Sequence, residues 1–200
     1  MTSVLITAFE PYDGWSANSS WLSLVQLTYD LPGDPAITTR LYPVDLAVVQ
    51  ERLAKDLAGN FDFALHLGQA PGSTRLQLES LAINIGGSSR QAPEEYRPLL
   101  EGGPAAYQSP LPLGDWALML REAGVPAGVS YHAGTYLCNA TLYFSCFFAE
   151  QMALKTRSAF VHVPLDVSQT ASQTYPAASL PVTVTAQGLR LILSEMAHGV

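Results

Sequence analysis

One cysteine, Cys138, stands where a loop is predicted to become a buried helix, within the run AGTYLCNATLYFSCFFA. The backbone N–H groups in the first turn of a helix lack intrahelical partners and lie at the positive end of the helix dipole. This position favours the thiolate form of cysteine, which attacks carbonyl carbons, and the same N–H groups can bind the resulting oxyanion. Because free cysteines more often simply pack in the core, the hypothesis of a nucleophile needs partner residues elsewhere in the chain.

Four histidines are candidates for the base that activates this thiol. His162 lies at the end of a predicted strand, where open α/β sheets collect their catalytic groups, and it is the favoured candidate. His132, six residues before the cysteine, is the second candidate. His66 lies inside an apolar strand and is predicted to be a core histidine. His198, two residues from the end of the sequence, is the least favoured.

The most informative acidic residue is Glu79, which lies among apolar neighbours in LQLESLAINI. A carboxylate is costly to bury without a partner, so this sequence predicts a partner for it. A cysteine–histidine pair needs a third group that orients the imidazole, and Glu79 meets that need, with Asp166 as the reserve. Such trios also occur by chance in many enzymes, so their spacing alone does not decide the matter.

Strands and helices that alternate along the chain are predicted to position these residues. The segment 76–85 is predicted to be a strand or one arm of a hairpin, and the Gly/Pro-rich segment 86–103 a long mobile loop. Gly59 is expected to stop the second helix. Strands are predicted at 3–9, 37–42, 61–68, 128–132 and 159–166, and helices at about 19–29, 45–58, 113–123, 139–152 and 185–198. This rhythm is typical of a doubly wound, mostly parallel sheet.

The loop after the first strand, EPYDGWSANSS, has the composition of an ordered loop, and Ser19 or Ser20 is the expected N-cap of the first helix. Loops that follow the first strand of a doubly wound sheet often line binding or catalytic sites. Phe9, Tyr12 and Trp15 therefore form either an apolar pocket wall or a cover for the end of the sheet.

Length and charge limit the function classes. With 200 residues and 48% hydrophobic content, the chain is expected to fold as one domain, residues 1–200, with its own core. The net charge of −7 and the lack of a Lys/Arg cluster argue against nucleic-acid binding and against anionic membranes. The sequence shows neither a signal peptide nor a transmembrane stretch, so we expect a cytoplasmic protein.

The two cysteines are expected to be free thiols. If Cys138 and Cys146 share one helix, they lie roughly 12 Å apart, beyond the reach of a disulfide. Free thiols agree with a reducing compartment. Neither cysteine belongs to a CxxC pair or has a histidine at ligand spacing, so we expect no metal and no cofactor. Cys146 matches no motif and is expected to be buried and inert.

Four blocks of the sequence, in order, resemble the pyroglutamyl peptidases, also called pyrrolidone carboxyl peptidases. TAFEPYDGWSANSSW is similar to the family pattern TGFxPFGGxxxNPSW, and GQAPGSTRLQLESLAIN to GQAGGRxxxxxERVAIN. GGPAAY followed by VSYHAGTYLCN resembles GGPAAY…SxxAGTYVCN, and FVHVPLDVSQ resembles FIHVPxxPEQ. The blocks span nearly the whole chain, and AGTYLCN, ESLAIN and FVHVP are the most specific.

The resemblance implies a cysteine peptidase that removes N-terminal pyroglutamate (5-oxoproline) from peptides through an acyl-enzyme. Cys138 would be the nucleophile, His162 the general base and Glu79 the carboxylate that orients His162. This is the trio that the chemistry of the residues also favours.

The resemblance further implies the substrate pocket and the architecture. Phe9 and Tyr12 would line the pocket for the uncharged pyrrolidone ring, with Gln69, Tyr136 and Leu137 nearby. The implied fold is a three-layer α/β/α sandwich around a mostly parallel twisted sheet. The implied assembly is a cytoplasmic homotetramer or dimer.

The chain departs from the family pattern near the implied site. IGGSSRQAPEEY replaces a family stretch that contains an arginine, and Arg90 is the nearest candidate for that oxyanion or site arginine. Asp13 and Gly14 replace paired glycines, and Ala140 replaces the histidine of CNH. Two alternatives therefore stay open: a related cysteine amidase or peptidase with another acyl specificity, and a non-catalytic binding homologue.

Overall fold

A six-stranded sheet forms the centre of the molecule in a computed structural model that describes residues 1–88, 90–171 and 173–199. Its strands are β1 (Ser3–Phe9), β2 (Ala36–Tyr42), β3 (Phe63–Gln69), β4 (Leu76–Glu79), β7 (Ala127–Ser130) and β8 (Arg157–Val163). Two further strands, β5 (Leu81–Ile83) and β6 (Ala106–Gln108), form a separate antiparallel pair.

The strand order in the large sheet is β2-β1-β3-β8-β4-β7. Strands β2, β1, β3 and β8 are parallel to one another, whereas β4 runs antiparallel to β8 and parallel to β7. The prediction of a mostly parallel sheet is therefore confirmed. The central strands read as continuous apolar runs because both of their faces are covered.

Helices cover both faces of the sheet, which confirms the three-layer prediction. The helices are α1 (Ser19–Thr28), α2 (Leu46–Leu57), α3 (Leu113–Glu122), α4 (Leu137–Gln151), the short α5 (Val167–Thr170) and α6 (Val182–Ala197). Helices α1, α3 and α6 pack in one core with Val4, Ile6 and Val161. Helices α2 and α4 pack on the other face with Leu5, Ala64 and Phe160. Side chains on successive residues of each strand thus enter different cores.

The segment 76–85 is more complex than the sequence predicts. It divides at Ser80, whose N–H donates to the Ser130 carbonyl at 2.7 Å and whose carbonyl accepts from the Ser109 N–H at 2.9 Å. The first half therefore stays in the large sheet as β4, and the second half leaves it to pair with β6 as β5.

One local prediction is wrong: the N-cap of α1 is Asn18, whose side chain accepts from the Ser20 N–H and from the Ser20 hydroxyl. Helix α2 ends at Leu57 with Ala58 as its cap, so it stops directly before Gly59, as predicted. The predicted loop 86–103, described apart from residue 89, contains a 3-10 turn and a β-bridge between Gly86 and Arg97.

No helix within the described residues is both long enough and apolar enough to cross a membrane.

Candidate active site

The alternation of side chains along the strands places an acid and a base on the same face of the sheet. In β8, Val161 packs with the α1/α3/α6 layer, so its neighbour His162 points towards α4. In β4, Leu78 packs with that same layer, so Glu79 also points towards α4. The two strands are adjacent and antiparallel, which brings the two side chains into contact.

His162 and Glu79 form a buried hydrogen-bonded pair. The distance between His162 Nδ1 and Glu79 Oε1 is 2.8 Å, and the Glu79 side chain is 0% exposed. Burial lowers the pKa of His162, but the charge of Cys138, a hydrogen bond to Cys138 and the contact with Glu79 together raise it to about 10. The imidazole thus lies between a thiol and a carboxylate, both of which favour its charged form.

Cys138 lies in the first turn of α4, which begins at Leu137. The side chain is partly exposed, and it lines a pocket. No side chain of the described residues caps this helix, so the N–H groups of its first turn have neither an intrahelical nor a capping partner. They are suited to bind an oxygen that becomes negatively charged next to the thiol.

Asn139 anchors this first turn to β5. Its Oδ1 accepts from the Ile83 N–H at 2.8 Å, and its Nδ2 donates to the carbonyls of Ile83 at 2.9 Å and Ile85 at 3.0 Å. The Asn139 side chain is nearly fully buried. Its three hydrogen bonds take the place of backbone pairing along one edge of β5. The sequence does not predict this role, and its one signal is a polar amide inside an apolar helix.

The other base and acid candidates have different partners. His66 is fully buried between Thr7 Oγ1 at 2.8 Å and Ser145 Oγ at 2.9 Å, and burial lowers its pKa to about 3. His132 is exposed on the loop before α4. Asp166, the reserve acid, is the N-cap of α5.

Cys138 opens onto a pocket of about 770 Å³. Each pocket residue implied by the family resemblance lines it: Phe9, Tyr12, Gln69, Tyr136 and Leu137. Trp15 is half-buried and lies outside the described lining. Several further residues line the pocket that the sequence does not predict: Pro11, Asn18, Val44, Gly87, Ser88, Ala133, Gly134 and Thr135.

Gln69 contributes an unused hydrogen-bond donor to this pocket. Its Oε1 accepts from the Ser19 N–H and from Gln169 Nε2, both at 2.8 Å. Its Nε2 is buried and has no hydrogen-bond partner within the described part of the chain. Burial and then the charge of Cys138 raise the pKa of Tyr12, while the Gln69 side chain lowers it.

Arg90 lies at the rim of the pocket. Its side chain is 76% exposed, and its guanidinium contacts the Asp13 carboxylate, which is 55% exposed. The pair joins the loop after β1 to the segment that follows β5 across the pocket mouth.

Cys146 differs from the expectation in one respect. It is partly exposed rather than buried, and it lines a separate cleft of about 320 Å³ beside Tyr107 and Glu150. The surrounding side chains still shield its sulfur from water, and this desolvation, and then the charge of Glu150, raise the pKa of the thiol to about 12. Cys146 is therefore a protonated, weakly nucleophilic thiol at neutral pH.

A metal site is not formed by these residues. Across residues 1–88, 90–171 and 173–199, no group of three or more His, Cys, Asp or Glu side chains is arranged to hold a metal ion.

Known proteins resemble this chain along its whole length. The family model of pyroglutamyl peptidase matches residues 2–198. The pyrrolidone-carboxylate peptidase of Thermococcus kodakarensis is 35% identical over 182 residues, which is 88% of each chain. That of Streptomyces coelicolor is 35% identical over 205 residues, 99% of this chain and 93% of the relative. The crystal structure of the pyrrolidone carboxyl peptidase from Fervidobacterium islandicum AW-1 superposes with a TM-score of 0.92 at 30% identity, covering 99% of both chains.

Proposed function

This chain belongs to the pyroglutamyl peptidase family, and we propose that it hydrolyses the amide bond after an N-terminal pyroglutamyl residue, with Cys138, His162 and Glu79 as its catalytic residues. The observation that carries the proposal is the buried His162–Glu79 pair beside a thiol at the start of α4. This arrangement meets the requirement for a nucleophile, a base and a group that orients the base.

The reaction begins with attack of the Cys138 thiolate on the carbonyl carbon of the pyroglutamyl residue. The carbonyl oxygen becomes an oxyanion, which the N–H groups of the first turn of α4 stabilise. The His162 imidazolium donates its proton to the leaving amine as the C–N bond breaks, which leaves a thioester on Cys138. His162 then takes a proton from water as the water attacks the thioester; the C–S bond breaks, which releases free pyroglutamate and restores the Cys138 thiolate beside the His162 imidazolium.

The pocket suits a small uncharged lactam. Phe9, Tyr12 and Leu137 provide apolar walls, and the free Nε2 of Gln69 is a donor for the lactam carbonyl oxygen. We infer that this donor discriminates against a ring without that carbonyl, because the buried amide would then stay unpaired. Tyr136, which is partly exposed, would cover the ring from the solvent side.

Arg90 has a different place in the proposal. Its guanidinium is largely exposed and paired with Asp13, whereas the N–H groups of α4 adjoin the nucleophile itself. We therefore propose that Arg90 contacts the peptide beyond the pyroglutamyl residue, and that the backbone N–H groups stabilise the oxyanion.

A substrate panel tests the proposed function. The enzyme is expected to hydrolyse the fluorogenic amide of pyroglutamate at least about 100-fold faster than the amide of proline, which has the ring without the carbonyl. An acetylated alanyl amide serves as a second comparison. Equal rates on all three amides would favour an amidase with another acyl specificity, and no turnover of any amide would favour a binding homologue.

We further propose that residues 1–200 act as one catalytic domain that works in the cytoplasm as a homodimer or homotetramer. Two free thiols and a family resemblance over the whole chain support this proposal. Sedimentation equilibrium is expected to give a mass two or four times that of one chain. A monomer at micromolar concentration would contradict it.

A further inference from the structure

Gly68 occupies the place on the sheet directly beneath the nucleophile. It is the second-to-last residue of β3, and its direct partner on the neighbouring strand is His162. Leu67 packs with the α1/α3/α6 layer, so a side chain on Gly68 would point towards α4, as His162 does. The glycine therefore belongs to the face of the sheet that carries the catalytic pair.

The space above Gly68 is already filled by two other side chains. A Cβ on this residue would lie 3.0 Å from Cys138 Sγ and 2.6 and 2.8 Å from the Cζ and Cε1 atoms of Phe160. All three distances are shorter than ordinary van der Waals contacts. Cys138 Sγ and the edge of the Phe160 ring thus pack directly against the backbone of Gly68.

The Phe160 ring is also in contact with the catalytic histidine. The centroids of the Phe160 and His162 rings are 4.9 Å apart, and Phe160 is fully buried. A methyl group on Gly68 could be accommodated only by moving this ring or by lifting the thiol away from the sheet. Since interiors are close-packed, either movement changes the separation between the thiol and the imidazole.

We propose that Gly68 is a positioning residue for catalysis: the absence of its side chain forms the seat that holds Cys138 Sγ against the sheet beside His162. This inference rests on the proposed function for the identity of the nucleophile. It adds a requirement on β3, a strand that supplies none of the three catalytic residues. A strand residue serves this purpose because the sheet is rigid, whereas the loop before α4 is not braced by strand pairing.

The test is the Gly68→Ala variant, assayed in two ways. We expect kcat on a pyroglutamyl amide to fall about 100-fold with KM changed less than about threefold, because a displacement near 1 Å has that effect and the pocket walls are untouched. The second readout is alkylation of Cys138 by iodoacetamide, followed by mass spectrometry. The ratio of its rate at pH 6 to its rate at pH 9 is expected to fall about tenfold, because only a thiolate held by an imidazolium reacts at low pH.

Two further variants separate the thiol contact from the ring contact. Gly114→Ala is the matched control, because a Cβ at Gly114 meets no atom within 4 Å. Phe160→Leu lacks the two ring atoms that would clash with a Cβ at position 68. The double variant Gly68→Ala/Phe160→Leu therefore removes the clash with the ring and keeps the close contact with Cys138 Sγ. We expect this double variant to remain as impaired relative to Phe160→Leu as Gly68→Ala is relative to wild type. If Gly68→Ala does not fold, the comparison of the double variant with Phe160→Leu still tests the Sγ contact.

The proposal is overturned if the double variant recovers the activity of Phe160→Leu, because Gly68 then makes room for the ring alone. It is equally overturned if folded Gly68→Ala keeps the wild-type kcat and alkylation ratio. A double variant that fails to fold also counts against it, since a displaced thiol alone does not unfold a sheet. If wild type hydrolyses no pyroglutamyl amide, the proposed function fails, and the alkylation ratios still decide the role of Gly68.

Discussion

Replacing Cys138 with alanine is expected to lower kcat on a pyroglutamyl amide by about 10⁴-fold or more, because the variant has no atom that can form the acyl-enzyme. The fold should persist, since Cys138 is only partly buried and Asn139 still joins the start of α4 to β5. The measurement is steady-state hydrolysis at matched protein concentrations. A thermal melt of each protein shows that the loss is not caused by unfolding.

The chain provides its own control for this experiment. Cys146 lies on the same helix, two turns beyond Cys138, and opens onto a different cleft. Cys146→Ala is expected to retain hydrolysis and to retain rapid alkylation of one thiol at pH 7. If Cys138→Ala hydrolysed the amide as fast as Cys146→Ala, the assignment of the nucleophile would be wrong.

The sequence predicts the strands of the central sheet well, because they are buried on both faces. SVLITAF predicts β1 to the residue, and the apolar run around His162 places β8 within three residues of its observed ends. In such strands the residue types alone indicate that both faces are buried. The proposed catalytic trio is accessible to the same reasoning, because a carboxylate among apolar residues requires a partner and strand ends collect functional groups.

What the sequence does not predict depends on contacts between distant segments. The split of 76–85 is imposed at Ser80, which donates to the Ser130 carbonyl and accepts from the Ser109 N–H, and no local pattern encodes these contacts. The anchoring of α4 joins Asn139 to Ile83, 56 positions earlier. The seat at Gly68 looks like an ordinary strand glycine until α4 lies over it.

The two strand histidines differ in the structure as the sequence predicts. His66 and His162 lie on neighbouring parallel strands, and both point towards the α4 layer. His66 meets two hydroxyl groups in a dry core, whereas His162 meets a carboxylate and a thiol. The surroundings move their pKa values in opposite directions, to about 3 and about 10. One residue therefore serves as a neutral core group, and the other is held in its charged form, as the proposed mechanism requires.

Replacing Glu79 with glutamine is expected to lower kcat by about 100-fold or more, because the buried imidazolium loses its charged partner. The amide keeps the shape of the side chain, and its oxygen can still accept from His162 Nδ1, so the substitution chiefly removes charge. Glu79 raises the pKa of His162, so its loss moves that pKa downwards from about 10. The measurement is the pH profile of kcat/KM, whose alkaline limb should shift to lower pH.

The same shift predicts the pH dependence of stability. A histidine whose pKa is raised on folding stabilises the protein fully below its unfolded value of about 6.5, and that stabilisation is lost as pH rises through about 10. Urea unfolding between these limits should therefore show a steeper loss of stability with pH in wild type than in Glu79→Gln. Glu150→Gln is the matched control, because its carboxylate binds the Tyr107 hydroxyl at 2.6 Å, beside the second cleft. An unchanged alkaline limb in Glu79→Gln, together with unchanged kcat, would show that His162 works without this carboxylate.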